Sequence, residues 1–116
     1  MNVFETLRLN GRRAVITGGS RGLGLEMARA LGQAGAELII TGRDGSQLDT
    51  ACRELRESSP SVTPVVGDLA TPDGATRFCD EILASHAPID ILVNNLGGRR
   101  VNYPTEEMPL EDWQLI

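Results

Sequence analysis

Thr17-Gly18-Gly19-Ser20-Arg21-Gly22-Leu23-Gly24 is the stretch on which the reading of this chain turns. It follows a short β-branched run, Arg13 to Thr17, and precedes a helical pattern in which Leu23, Met27, Leu31 and Ala34 recur at steps of four, four and three. Glycines at 18, 22 and 24 give a T-G-x-x-x-G-x-G spacing. Glycine permits a tight turn, lets backbone approach a pyrophosphate, and allows a helix to sit close to a strand. A helix beginning near Gly22 would present free N–H groups and the positive end of its dipole to that anion.

The same alternation continues outward. Gly35 is placed to stop the first long helix, and Leu38 to Thr41 is an apolar run suited to a sheet covered on both faces. Ser46, with Asp49 three residues later, predicts the start of a second helix whose buried stripe is Leu48, Cys52 and Leu55. Ser58-Ser59-Pro60 ends it, and Val62 to Val66 is the third strand. Thr71-Pro72 is a start signal for a third helix, with Ala75, Phe78, Cys79, Ile82 and Leu83 as its apolar face. Ile89 to Val93 is the fourth strand and runs into Asn94-Asn95-Leu96-Gly97-Gly98. Residues 99–108 read as loop and Pro109 to Ile116 as the opening of a fourth helix. Strands and helices alternating in this way predict βαβ units, a parallel sheet and right-handed crossovers within a single domain, residues 1–116.

Composition removes several function classes. The chain has 116 residues, 41% hydrophobic and 23% charged, which suits a folded core. All 11 basic residues are arginine, so lysine-dependent chemistry and a Walker-type phosphate loop are excluded for these residues by themselves. A net charge of −5 argues against nucleic acid as a partner. Cys52 and Cys79 match no metal or redox spacing, and no metal is expected; a reducing, cytoplasmic setting is. Met1 to Asn10 does not read as a signal peptide, and no apolar run approaches membrane-spanning length, so no membrane partner is expected.

The glycine turn, the Asp68-Leu69 pair after the third strand and Asn94-Asn95-Leu96-Gly97 after the fourth stand at consecutive strand ends. Together they resemble the short-chain dehydrogenase/reductase family, from about Gly11 to Ile116. The resemblance implies a Rossmann-type doubly wound fold with strand order 3-2-1-4, of which this would be the N-terminal, NAD(P)-binding part, ending within the fourth helix. It implies that Gly18, Gly19, Ser20, Arg21, Gly22, Leu23 and Gly24 serve the cofactor pyrophosphate and adjoining ribose. Asp68 would bond the adenine amino group, Leu69 would pack on the ring, and Asn95 and Gly97 would lie beside the ribose near the nicotinamide. Asn94 would tie neighbouring strands through its amide. Leu96 stands where the family usually has alanine.

Cofactor choice turns on Gly42-Arg43-Asp44. NAD-preferring relatives commonly carry an acid where Gly42 stands; here Arg43 and Arg21 could clamp a 2′-phosphate, which predicts NADP, with NAD as the alternative. Asp44 is the contrary sign, unless it serves to begin the next helix. The family's serine, tyrosine–lysine pair and helical asparagine have no counterpart in this chain. Tyr103 is its only tyrosine and is followed four residues on by Glu107, so no catalytic residue is assigned. Pro109 to Ile116 resembles the segment leading to the asparagine.

By resemblance, then, the parent protein is an NADP-dependent oxidoreductase that moves hydride between NADPH and a small carbonyl or alcohol substrate, such as a 3-oxoacyl thioester or a sugar acid. Family members usually form homotetramers. The alternative is a non-catalytic dinucleotide-binding or interaction module, or a decayed gene product.

Overall fold

The computed structural model describes residues 1–97 and 104–115. Its elements are α1 (Val3–Thr6), β1 (Arg13–Ile16), α2 (Gly22–Gln33), β2 (Glu37–Gly42), α3 (Gly45–Leu55), β3 (Val62–Val66), α4 (Pro72–Ser85), β4 (Ile91–Val93), a 3-10 turn (Thr105–Glu107) and α5 (Leu110–Leu115). The four strands form one parallel sheet in the order β3-β2-β1-β4, the order that the family resemblance implied.

Side chains that alternate along β1 and β2 build a core on each face. Ala14, Ile16, Leu38 and Ile40 join Ala28 of α2 and Leu48, Ala51, Cys52 and Leu55 of α3 on one side. Val15 and Ile39 join Val65 and Ile82 of α4 on the other. The predicted α3 stripe is therefore correct, but two other stripes shift. In α2 the buried positions are Gly24, Ala28 and Gly32; of the predicted stripe Leu31 packs against the same core in part, and Leu23 is 77% exposed. Glycine and alanine face the sheet because α2 lies too close for larger side chains: a Cβ on Gly32 would come within 3.1 Å of Leu38 Cδ1 on β2 and 2.9 Å of Ser59 Cβ in the segment before β3. In α4, Ile82 is buried while Cys79 and Leu83 are exposed, so Cys79 does not share the packed environment of Cys52.

The helix ends have local causes. Gly35, at φ +104°, closes α2: its N–H donates to Gly32 O and that of Ala36 to Leu31 O, a Schellman pair that satisfies the last carbonyls. Thr71 caps α4 through a bond from Gly74 N, with Pro72 in the first turn. Ser46 does not cap α3. Asp44 does, its Oδ1 accepting from Ser46 N at 2.9 Å and Gln47 N at 3.1 Å. A carboxylate two residues upstream satisfies both amides and leaves Ser46 inside the first turn. The one-turn α1 and the 3-10 turn within the expected 99–108 loop were not anticipated.

Candidate cofactor-binding site

A cleft of about 980 Å³ opens at the carboxyl ends of the strands, where β1 neighbours both β2 and β4. That is where the two crossovers diverge in a doubly wound sheet and where such folds take their ligands. The volume is at the upper end of the roughly 300–1,000 Å³ usual for ligand sites.

The turn after β1 supplies Gly18, Ser20, Arg21, Gly22 and Leu23 to the cleft wall. Gly18 and Gly22 adopt φ +64° and +59°, values that favour glycine. Arg21 is the N-cap residue of α2 but makes no side-chain capping bond, so nothing in the side chains occupies the amides of the helix's first turn. Those amides are what an anion at this end would use. Gly19 and Gly24 are buried and act by closeness instead. A Cβ on Gly19 would lie 2.9 Å from Ile40 Cβ, and one on Gly24 would lie 2.1 Å from Gly18 O and 2.5 Å from Asn95 Nδ2. These two glycines shape the turn from behind.

The segment after β4 is stitched to that turn. The Thr17 hydroxyl accepts from Asn95 N at 2.9 Å and Leu96 N at 3.1 Å, and donates to Val93 O at 3.4 Å. Asn95 Nδ2 donates to Gly18 O at 3.2 Å. The amide tie expected of Asn94 is thus made by Asn95, because alternation past the end of β4 turns Asn95 towards β1 and leaves Asn94 exposed. Asn95, Leu96 and Gly97 all line the cleft.

The opposite wall comes from β2 and α3: Thr41, Gly42, Arg43, Asp44 and Gln47. The buried Thr41 reaches back to the glycine turn, its hydroxyl accepting from Gly18 N at 3.4 Å and its carbonyl from Gly19 N at 3.0 Å. Ser20 packs beside Gly42, whose added Cβ would meet Ser20 Oγ at 3.3 Å. Gly67 and Leu69 complete the wall after β3. Asp68 is exposed and is not among the lining residues; its carboxylate accepts from Ala70 N at 3.0 Å.

Two guanidinium groups, Arg21 and Arg43, therefore share one cleft, and neither takes part in an ion pair among the described residues. Asp44, the contrary sign in the sequence, is engaged as the cap of α3. Gln47, Gly67 and the two strand-end threonines were not singled out beforehand. A threonine as the last residue before each glycine, Thr17-Gly18 and Thr41-Gly42, was the available signal. Arg99, Arg100 and Tyr103 lie outside the described residues. Among the described residues no group of three or more His, Cys, Asp or Glu could hold a metal, and no helix is long and apolar enough to cross a membrane.

A parallel sheet of order 3-2-1-4 with a glycine turn and an uncapped helix at its switch point defines a Rossmann-type α/β domain. The model of the short chain dehydrogenase family matches residues 12–116, and the chain belongs to that family. It is similar to a gluconate 5-dehydrogenase of Gluconobacter oxydans, 37% identical over 109 residues covering 94% of this chain and 42% of that protein. Among solved structures it resembles the L-sorbose reductase of Gluconobacter frateurii complexed with NADPH and L-sorbose, at TM-score 0.81 and 36% identity over 93% of this chain and 41% of that one. A gluconate 5-dehydrogenase of Burkholderia cenocepacia in complex with NADP and tartrate matches at TM-score 0.82 and 37% identity, covering 98% of this chain and 44% of that one. The chain thus spans about two fifths of the length of these relatives.

Proposed function

We propose that this protein is an NADP-dependent oxidoreductase that exchanges hydride between the nicotinamide cofactor and a ketone or secondary alcohol. The observation that carries the choice of cofactor is the pair of guanidiniums, Arg21 and Arg43, without an ion-pair partner among the described residues, in one cleft with the uncapped N-terminus of α2. The cleft fits such a group: Gly18 and Gly22 keep the turn free of side chains, and the α2 amides face an anion with no side chain in competition. Gly18, Ser20, Arg21, Gly22 and Leu23 would hold the pyrophosphate and its ribose, with Gly19 and Gly24 packing the turn from behind. Leu69, which lines the cleft, would pack on the adenine, with Asp68 beside it at the rim to meet the adenine amino group, and Asn95 and Gly97 would hold the nicotinamide ribose. Arg21 and Arg43 would clamp the 2′-phosphate, which guanidinium suits because it makes paired, charge-assisted bonds to phosphate. Bound there, the cofactor supplies or accepts the hydride.

The relatives named above act on, or are complexed with, sugars and sugar acids, which supports a polyhydroxylated ketone or sugar acid as substrate, with a 3-oxoacyl thioester as the alternative. Residues 1–116 contain no lysine, and a tyrosine–lysine proton relay would have to come from elsewhere. These residues alone are therefore proposed to bind the dinucleotide without turning over a ketone. Arg43→Ala and Arg21→Ala, titrated with NADPH and with NADH, test the cofactor assignment. Arg43→Ala is expected to weaken NADPH about tenfold, as loss of a charge-assisted bond does, and to spare NADH; Arg21→Ala, which also removes a pyrophosphate contact, is expected to weaken both, NADPH by about tenfold more than NADH. Equal loss for both cofactors would refute it, and ketone reduction by residues 1–116 alone would refute the assignment of their role.

A further inference from the structure

We infer that Asp44 is a positioning residue for 2′-phosphate recognition, acting through the cap of α3 rather than by touching the cofactor. The inference rests on the NADP reading above.

Two helices present their N-termini to the cleft, and they differ. The α2 end has no side-chain cap, whereas the α3 end is closed by Asp44, whose Oδ1 holds Ser46 N at 2.9 Å and Gln47 N at 3.1 Å. Closure has two consequences. The Ser46 and Gln47 amides are satisfied within the chain, so an anion on this side of the cleft meets the guanidiniums of Arg21 and Arg43 rather than those two N–H groups. The carboxylate, seated against two amides and the positive end of the helix dipole, has its own charge compensated there. It makes no ion pair with either arginine among the described residues, which leaves both guanidiniums unneutralised.

The cap also fixes the backbone next to Arg43. Asp44 is extended, at φ −95° and ψ 108°, and ties the strand end at Gly42-Arg43 to the first turn of α3. Arg43 lies between two anchored points: Gly42 O accepts from Gly67 N at 3.0 Å, and Asp44 is fixed by its cap. Without the cap, the peptide carrying the guanidinium is held on one side only. The same carboxylate in a free state could accept a ribose hydroxyl, the contact that favours NAD; capping withdraws the oxygen that binds the two amides.

Dissociation constants for NADPH and NADH, measured calorimetrically on the intact wild-type protein and on Asp44→Ala, Asp44→Asn and Asp44→Ser, test this. Asparagine and serine still cap and alanine does not. The NADPH preference should fall about fivefold in Asp44→Ala, the equivalent of a lost cap, with NADH binding held within about twofold. It should remain within about twofold of wild type in the asparagine and serine variants. If Asp44→Ala is destabilised, the titrations are made below its unfolding midpoint, where the folded variant carries the same expectation. An unchanged preference in the uncapped variant overturns the inference. So does an equal change in all the variants, which would mean that the charge itself acts on the cofactor. A wild-type protein with no preference would refute the NADP reading, and this inference with it; a wild-type preference that survives uncapping refutes this inference alone.

Discussion

The side-chain amide of Asn95 donates to the carbonyl of Gly18 at 3.2 Å, so the segment after β4 and the glycine turn after β1 form one hydrogen-bonded unit across 77 residues of sequence. The bond leaves no room behind the turn. A methyl group on Gly24 would come within 2.5 Å of the same Asn95 nitrogen and 2.1 Å of the same Gly18 oxygen.

Gly24→Ala should therefore be destabilising although alanine is the better helix former. Inserting a methyl into a filled space costs about 1–3 kcal/mol, more than the roughly 1 kcal/mol that helix propensity returns. Thermal unfolding should show a lower midpoint and cofactor titration weaker binding. A midpoint equal to or above wild type would show that the contact relaxes freely.

Asn95→Asp is nearly isosteric but replaces the donor with an acceptor facing the Gly18 carbonyl. It should lose more stability at neutral pH than Asn95→Ala, because repulsion is added to the lost bond, about 1 kcal/mol or more. Denaturant midpoints for the two variants decide this; the reverse order would contradict the tie.

Asp90 stands at the other end of the sheet, where its Oδ2 accepts from Arg13 N at 2.9 Å and its Oδ1 lies 3.4 Å from the Arg12 guanidinium. The Arg13 backbone bond first, and the Arg12 guanidinium with it, hold its carboxyl below the ordinary value of 3.8. The folded state thus binds fewer protons than the unfolded state just below that value. The stabilising contribution is present above pH 3.8 and is lost as pH falls through the lower, folded pKa. Denaturant melts across the acid range should show this slope in wild type and a flatter one in Asp90→Asn. Identical slopes would remove Asp90 from the account.

The two cysteines should react unequally. Cys52 is fully buried against the sheet, and burial pushes its thiol pKa up, whereas Cys79 is exposed on α4. A thiol reagent should modify one cysteine quickly in the native protein and both in denaturant, since thiolate and access together govern the rate. Rapid modification of Cys52 under native conditions would contradict the packing of α3.

The strands were legible as short apolar runs alternating with helical patterns, and their order came from the family resemblance carried by the motifs at the strand ends. What escaped was set by distance between elements. Leu23, Met27, Leu31 and Ala34 make a plausible helical stripe, but α2 lies so near the sheet that Gly24, Ala28 and Gly32 face it instead. Ser46 looked like a cap by spacing, yet Asp44 reaches the same amides with a carboxylate. Which of Asn94 and Asn95 ties the strands depends on pleat alternation beyond the end of β4, a matter of one residue. Arg21 and Arg43 could be assigned to one cleft because they follow the carboxyl ends of two neighbouring strands, β1 and β2. That neither is neutralised by Asp44 is visible only in the folded chain.

Parallel titrations of the intact protein with NADPH and NADH at one salt concentration test the central claim most directly. Two guanidiniums dedicated to a 2′-phosphate should make NADPH the tighter ligand by about tenfold or more. Comparable dissociation constants, or tighter binding of NADH, would contradict the assignment of Arg21 and Arg43 and with it the reading of this cleft.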